Sequence, residues 1–97
     1  MKKQDEIEKI LRSNLPRLKE DFKISSLEIF GSYVRHRQNK DSDLDILVEY
    51  KQIPDLFEFM ALENYLTDLL EVKVDLVMKD SLKESLRKKI IEEAVAI

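Results

Sequence analysis

The sequence predicts an α/β fold in which a small sheet is covered by helices. Three short apolar segments have the length and composition of strands, and three longer segments carry apolar residues at helical spacing. The strand segments are 27–30, 43–50 and 72–78, and the helical segments are 3–22, 55–70 and 81–97. Because strands and helices alternate along the chain, an α/β sheet is favoured over an all-helical bundle.

Composition limits the possible classes of protein. The 97 residues are 43% hydrophobic, which is enough for one core, so we expect a single domain over residues 1–97. A net charge of −3 does not favour stable nucleic-acid binding. The absence of cysteine excludes disulfides and thiolate metal sites, and no apolar run is long enough to span a membrane. We therefore expect a cytoplasmic protein.

The first helical segment is interrupted by Pro16, which predicts either two short helices or one kinked helix. Ser13 or Asn14 could cap the second helix, with the proline in its first turn. After this segment, residues 27–30 form the first predicted strand, followed by a Gly-Ser turn and a short helix over 33–37.

The second strand is predicted from Asp43 to Tyr50. Its residues Leu44, Ile46 and Val48 alternate with the aspartates, so we expect them to face the core. The third strand, 72–78, contains one acidic residue, Asp75.

The helix over 55–70 has a clear start, with Pro54 before it and Asp55 as the cap. It is more apolar than one buried stripe requires. Two explanations remain open: the N-terminal helices cover the excess, or a partner chain does. The last helix is predicted from Ser81 to about Ile97, because Ser81 and Glu84 have the spacing of a capping box. Its predicted core stripe consists of Leu82, Leu86, Ile90, Ala94 and Ile97.

Two features near the first turn predict a chemistry. Asp43 and Asp45 are two apart in a strand, so their carboxylates project from one side, about 6–7 Å apart, and can bind a hard cation such as Mg²⁺. Gly31, the only glycine, marks a sharp bend where backbone amides and the Ser32 hydroxyl could bind phosphate. Together they predict transfer from a nucleoside triphosphate. The alternative is that the acids only keep a strand edge soluble.

These residues carry a family resemblance. Gly31-Ser32, ten residues, then Asp43-Leu44-Asp45 resembles the signature of the nucleotidyltransferase superfamily that includes DNA polymerase beta. Nearly the whole chain is similar to the minimal nucleotidyltransferases, which are encoded beside HEPN-domain ribonucleases in toxin–antitoxin pairs. The resemblance implies a mixed three-stranded sheet, a third catalytic acid at Asp75, two Mg²⁺ ions and ATP as donor.

Asp75 would lie beside the aspartate pair if the second and third strands are neighbours, and there it could act as a metal ligand and general base. Otherwise it is a solvent-facing acid. Arg35 could bind a phosphate together with Gly31 and Ser32, or form a structural ion pair. His36 stands where the family usually has glycine, which puts the shape of this loop in doubt.

The resemblance also implies an acceptor. It would be a tyrosine hydroxyl on a cognate HEPN ribonuclease toxin, and adenylylation would silence that toxin, so the chain would act as a type VII antitoxin within a hetero-oligomer. A second reading is an antitoxin with a weak or inert site that neutralises its partner by binding. A transferase acting on a small molecule is a third, but so short a chain shows no segment for a separate acceptor pocket.

Overall fold

The computed structural model describes residues 3–34 and 43–97, which form three helices and four strands. The helices are α1 (Gln4–Asp21), α2 (Leu56–Leu70) and α3 (Glu84–Glu93). The strands are β1 (Ile24–Phe30), β2 (Leu44–Tyr50), β3 (Val74–Met78) and β4 (Val95–Ala96). Short 3₁₀ turns follow β1 and β3, at Gly31–Tyr33 and Lys79–Ser81.

The strands form one mixed sheet with the order β3-β2-β1-β4. β2 runs antiparallel to β1 and parallel to β3, and β4 pairs antiparallel with β1. The predicted α/β class and the mixed sheet are confirmed, but the strand number is four rather than three. The additional strand is short, with Val95 opposite Ile29, and the Ile97 amide donates to the Leu27 carbonyl at 3.0 Å.

The predicted last helix is therefore wrong at both ends. It begins at Glu84, after Lys83, and the Ser81 hydroxyl does not cap it but donates to the Met78 carbonyl at 2.8 Å. It ends at Glu93, because Ala94 is extended and the chain then joins the sheet. The predicted core stripe is wrong for the helix itself, since α3 has no fully buried residue and Leu86 is 51% exposed, but Ile97 does pack against the core.

α1 passes through Pro16 as one helix, so the two-helix alternative is wrong. The side chains proposed as caps have another role. Ser13 Oγ donates to the Lys9 carbonyl at 2.9 Å, and Asn14 Nδ2 donates to the Ile10 carbonyl at 2.8 Å. Both bonds run back four residues to carbonyls of the same helix, so neither side chain caps a new helix start.

The hydrophobic core lies between the sheet and the helices α1 and α2. The predicted inward residues of β2, Leu44, Ile46 and Val48, are all buried there. α1 contributes Ile7, Leu11 and Leu18, and α2 contributes Leu62, Leu66 and Leu70. These helical positions are spaced by four or seven residues, which places each set on one helix face. The helices in this part of the chain lack the length and apolar character needed to cross a membrane.

The start of α2 is confirmed. Asp55 accepts a hydrogen bond from the Glu58 amide at 2.7 Å, and the Glu58 side chain accepts one from the Asp55 amide at 3.2 Å, which completes a capping box. α1 covers only part of the apolar excess on α2. The ring of Phe22, at the end of α1, lies 5.3 Å from the ring of Tyr65, while Phe57 remains 81% exposed.

Two side chains of α2 bind the outer edge of β3, which is the edge strand of the sheet. The Val74 amide donates to Thr67 Oγ1 at 3.2 Å, and the Leu76 amide donates to Glu63 Oε2 at 2.9 Å. An exposed edge strand offers unpaired amides to other chains. The helix thus satisfies this edge at two positions and blocks strand addition there.

Replacing Glu63 by alanine is expected to lower the free energy of unfolding by about 1–3 kcal/mol, because the Leu76 amide loses a charged acceptor. Glu63→Gln keeps an acceptor oxygen and should cost less than half as much. Urea unfolding of the two variants measures the difference. Equal losses in both variants would show that the carboxylate contributes through packing rather than through this hydrogen bond.

Candidate active site

The predicted acids meet at one end of the sheet, where β1 ends and β2 and β3 begin. In the strand register, Asp45 lies between Phe30 of β1 and Asp75 of β3. Neighbouring strands are about 4.8 Å apart, and register partners project from the same side of a sheet. The structure therefore brings Asp45 and Asp75 side by side, with Asp75 exposed and Asp45 half-buried.

Asp43 lies just before β2, and its side chain is 41% exposed. One of its oxygens is 3.9 Å from Nζ of Lys73, a long and solvent-exposed ion pair. The Leu44 amide donates to the Lys73 carbonyl at 2.8 Å, so the strand pairing holds the two segments together. Sequence reasoning missed Lys73 as a neighbour of the acids. Its position two residues before Asp75 in the strand pattern was the available signal.

Gly31 directly faces Asp45. Its φ of +81° lies in the left-handed region, which glycine adopts without steric cost. A Cβ atom at this position would overlap a carboxylate oxygen of Asp45 and lie 3.0 Å from its Cγ. Both reasons for the single glycine, a sharp bend and a close approach, therefore apply at the same residue.

The Gly-Ser turn differs in part from the prediction. A 3₁₀ turn begins at Gly31 and ends at Tyr33, with the Val34 amide donating to the Gly31 carbonyl. The predicted helix over 33–37 falls largely outside the described residues, as do Arg35 and His36. Ser32 is half-buried at the first turn, where helical amides lack acceptors within the turn.

The ring of Tyr33, the third residue of this turn, is fully buried in the core, and among the described residues its hydroxyl has no hydrogen-bond partner. Removing an unpaired buried hydroxyl is favourable, so Tyr33→Phe is expected to raise the free energy of unfolding by about 1 kcal/mol near pH 7. Burial also raises the pKa of Tyr33 above its ordinary value of 10.0.

Burial disfavours the charged phenolate in the folded state. The free energy of unfolding is therefore unaffected by titration of Tyr33 below pH 10 and decreases as the pH rises above it. In Tyr33→Phe the free energy of unfolding should decrease less at alkaline pH, because the phenol is absent. Urea unfolding at neutral and alkaline pH measures both effects. A Tyr33→Phe variant that is less stable than wild type at neutral pH would contradict this interpretation.

The oxygen atoms of Asp43, Asp45 and Asp75 are suitable ligands for a hard cation. Carboxylate oxygens are the ligands that Mg²⁺ prefers, and Gly31 has no Cβ to fill the space against Asp45. Within residues 3–34 and 43–97, however, no three acidic or histidine side chains lie close enough together to form a metal-binding group. The acids share one end of the sheet without forming a closed coordination shell.

A second charged pair, which sequence reasoning missed, lies on the same side of the sheet. Glu28 is two residues before Phe30 in β1, and its carboxylate accepts a hydrogen bond from Lys79 Nζ at 2.9 Å. Both side chains are largely buried. This hydrogen bond raises the pKa of Lys79, although burial acts in the opposite direction. The pair joins β1 to the turn after β3 and thus spans β2, the strand that carries Asp45.

The chain matches the nucleotidyltransferase domain family over residues 5–97. A Methanocaldococcus jannaschii protein provisionally named protein adenylyltransferase MJ0128 is 52% identical over 93 residues, which are 96% of this chain and 95% of that protein. The protein adenylyltransferase MntA of Thermococcus cleftensis is 46% identical over 93 residues, with 96% and 94% covered. The similarity thus extends over nearly the full length of both relatives.

Solved structures agree with the sequence comparison. A structure provisionally described as a minimal nucleotidyltransferase superposes with a TM-score of 0.80 at 30% identity, covering 95% of this chain and 94% of the other. The chain is also similar to a structure of a tri-AMPylated HEPN toxin from Shewanella oneidensis in complex with its MNT antitoxin. The TM-score there is 0.59 at 27% identity, with 95% and 66% covered. With the Gly-Ser turn and the acids at one end of the sheet, these matches show that the chain belongs to the nucleotidyltransferase family and is a minimal nucleotidyltransferase.

Proposed function

We propose that this nucleotidyltransferase transfers AMP from ATP to a hydroxyl of a HEPN-family ribonuclease toxin and so acts as its antitoxin. The observation that carries the proposal is the register of Asp45 beside Asp75, next to the glycine-led turn. Support also comes from the relatives, one of which is named protein adenylyltransferase MntA, and from the structural match to an AMPylated HEPN toxin with its antitoxin.

Asp43, Asp45 and Asp75 are proposed to hold Mg²⁺, with two ions as the expected number. Repulsion among the three carboxylates keeps their side chains apart unless a cation lies between them. Because all three are at least partly exposed, they can turn toward a cation when it binds. Bound Mg²⁺ supplies positive charge that stabilises the triphosphate and the charge growing on its α-phosphate.

The chain's own residues would then act in defined roles. Asp75 accepts the proton of the attacking hydroxyl, which forms a bond to the α-phosphorus of ATP. The bond from that phosphorus to the bridging oxygen breaks, and pyrophosphate leaves. Backbone amides at Gly31 and the hydroxyl of Ser32 bind the β- and γ-phosphates, and Arg35 is proposed to pair with one of them. Lys73, near Asp43, adds positive charge at the same end of the sheet.

A protein acceptor is favoured over a small molecule. Two clefts of the described residues lie toward the other end of β2 and β3, away from Asp43 and Asp45. Neither of these clefts is therefore placed to hold a small-molecule acceptor beside the acids. An acceptor hydroxyl presented by a separate protein, as the tyrosine of a HEPN toxin, needs only the exposed end of the sheet.

The test uses two forms of radiolabelled ATP with the full-length chain, Mg²⁺ and its cognate HEPN toxin. Label on the α-phosphate is expected to appear on the toxin, and label on the γ-phosphate is expected to leave as pyrophosphate. Transfer of the γ-label would indicate a kinase instead. Transfer of neither label, with toxin activity still blocked, would contradict the enzymatic proposal.

A second candidate is supported by one observation, the exposed apolar surface of α2, which a purely steric antitoxin would need. The two functions differ in how they depend on the acids. Toxin neutralisation that is lost in Asp43→Ala identifies the transferase. Equal neutralisation by Asp43→Ala, without label on the toxin, identifies the steric antitoxin.

A further inference from the structure

The end of the sheet opposite the acids carries an apolar cleft. It lies between the first turns of α2 and the last residues of β3 and has a volume of about 360 Å³. Its walls include Leu56 and Phe59 of α2 and Leu76 and Met78 of β3. A smaller cleft of about 160 Å³, bounded by Tyr50 and Ile53, adjoins it and shares Pro54, Met78 and Ser81. A cavity of this combined size can accept one or two large apolar side chains.

Large apolar side chains surround the mouth of the cleft. Ile53 is 91% exposed, Leu56 69% and Phe57 81%, and Met60 is also exposed. We call these four residues the docking patch. Single exposed apolar residues are common, but four within eight positions of one segment form a contiguous surface that usually marks a contact with another molecule.

A polar group inside the cleft also lacks a partner. The hydroxyl oxygen of Tyr50 is buried, and among the described residues it has no hydrogen-bond acceptor. Burial, together with the negative charge of Glu58, raises the pKa of Tyr50 to about 12, so the hydroxyl remains a donor at neutral pH. A buried donor without an acceptor is costly, and because this oxygen is closed to solvent, an occupant's oxygen can accept its hydrogen bond only after the wall of the cleft shifts.

The charge around the docking patch has one sign. From Gln52 to Val72 the sequence contains five acidic residues and no lysine, arginine or histidine. Asp55 and Glu58 are exposed beside the docking patch, and Asp80 borders the smaller cleft. An occupant with lysine or arginine next to its apolar side chains is therefore complementary.

A second copy of this chain fits less well. The helix α3 is basic at its centre, but Leu86 is the one large apolar side chain that it exposes within the described residues. A single leucine cannot fill both clefts.

We propose that the docking patch and its cleft receive an amphipathic helix of the acceptor protein, with large apolar residues on one face and basic residues beside them. The inference rests on the proposed function for the identity of that protein. The smaller cleft is remote from Asp45, because Tyr50 is five residues, or about 16 Å, beyond it along β2. In the larger cleft, Leu76 lies on the opposite face of β3 from Asp75. Docking there would hold the toxin in place. The end of the sheet with Asp43 would stay open to the acceptor hydroxyl of the toxin.

The test measures the affinity for the cognate HEPN toxin by calorimetry. Phe57→Ser is the test variant, and Leu86→Ser is the matched control because both residues are exposed and apolar. Phe57→Ser is expected to weaken binding about 30-fold, as central anchors do, and Leu86→Ser less than about twofold. Asp80→Lys should weaken binding more at about 50 mM than at about 500 mM salt.

Three outcomes would decide against the inference. Equal affinities of wild type, Phe57→Ser and Leu86→Ser overturn it, as does a wild-type chain that does not bind the toxin. If Phe57→Ser instead abolishes self-association in sedimentation velocity and leaves toxin binding intact, the surface is an interface between copies. Transfer of the α-label by the wild-type chain tests the proposed function separately. If wild type transfers no label and Phe57→Ser loses toxin binding, the docking inference is supported and the enzymatic proposal is contradicted.

Discussion

Replacement of Asp43 by asparagine is expected to lower the rate of AMP transfer by about 10³-fold while leaving the free energy of unfolding within about 0.5 kcal/mol of wild type. The side chain is 41% exposed and its contact with Lys73 is 3.9 Å long, so it contributes little to the fold. An asparagine keeps the shape of the carboxylate but removes the negative charge that would bind Mg²⁺. Transfer of α-labelled phosphate to the toxin and urea unfolding measure the two quantities.

The matched control for Asp43 is Asp68→Asn, which removes an exposed carboxylate from α2 and should leave the transfer rate unchanged. Asp75→Asn should also abolish transfer, since it removes the neighbour of Asp45 in the register. Full activity of Asp43→Asn, or of Asp75→Asn, would exclude that residue from the metal site. Loss of activity in Asp68→Asn as well would point to a general effect of net charge instead.

Replacement of Gly31 by alanine is expected to lower the free energy of unfolding by about 2–4 kcal/mol and to abolish transfer. Two costs combine at this position. A non-glycine residue is strained at φ +81°, and the new Cβ would overlap the carboxylate of Asp45. The carboxylate must then leave its position against Gly31, which displaces a proposed metal ligand. Urea unfolding measures the first effect and labelled transfer the second.

A double variant distinguishes these two costs. In Asp45→Ala the carboxylate is absent, so adding Gly31→Ala should cost only the backbone strain, about 1–2 kcal/mol. The double variant should remain inactive, because it still lacks a proposed metal ligand. If the losses in the free energy of unfolding of the two single variants instead sum to the loss of the double variant, the contact between Gly31 and Asp45 is not the reason that glycine is required at this position.

The elements with strong local signals were predictable. α2 was recognised from its start signals and its apolar residues, and Asp55 and Glu58 do form the capping box that closes its first turn. β1, β2 and β3 were recognised from apolar runs, although β1 begins three residues earlier than expected. In each case the interactions that define the element lie within a few residues of one another, so the local sequence contains them.

The end of the chain shows where local patterns mislead. Ser81 and Glu84 have the spacing of a capping box, but the Ser81 hydroxyl bonds to Met78 and the helix starts later. Val95 leaves the predicted helix because β1 offers an open edge more than sixty residues earlier in the chain. Pairing of that kind depends on where the rest of the sheet lies, and no local periodicity reports it.

For the candidate site, the sequence by itself determined that two carboxylates share one side of a strand and that a lone glycine precedes them, because strand alternation and the freedom of glycine are local properties. Only the tertiary structure decided that β3 lies parallel beside β2, so that Asp75 comes next to Asp45, and that Gly31 contacts the same carboxylate. It also decided which apolar residues of α2 remain outside the core. The physical reason is that strand order and helix packing result from burying the whole hydrophobic surface at once.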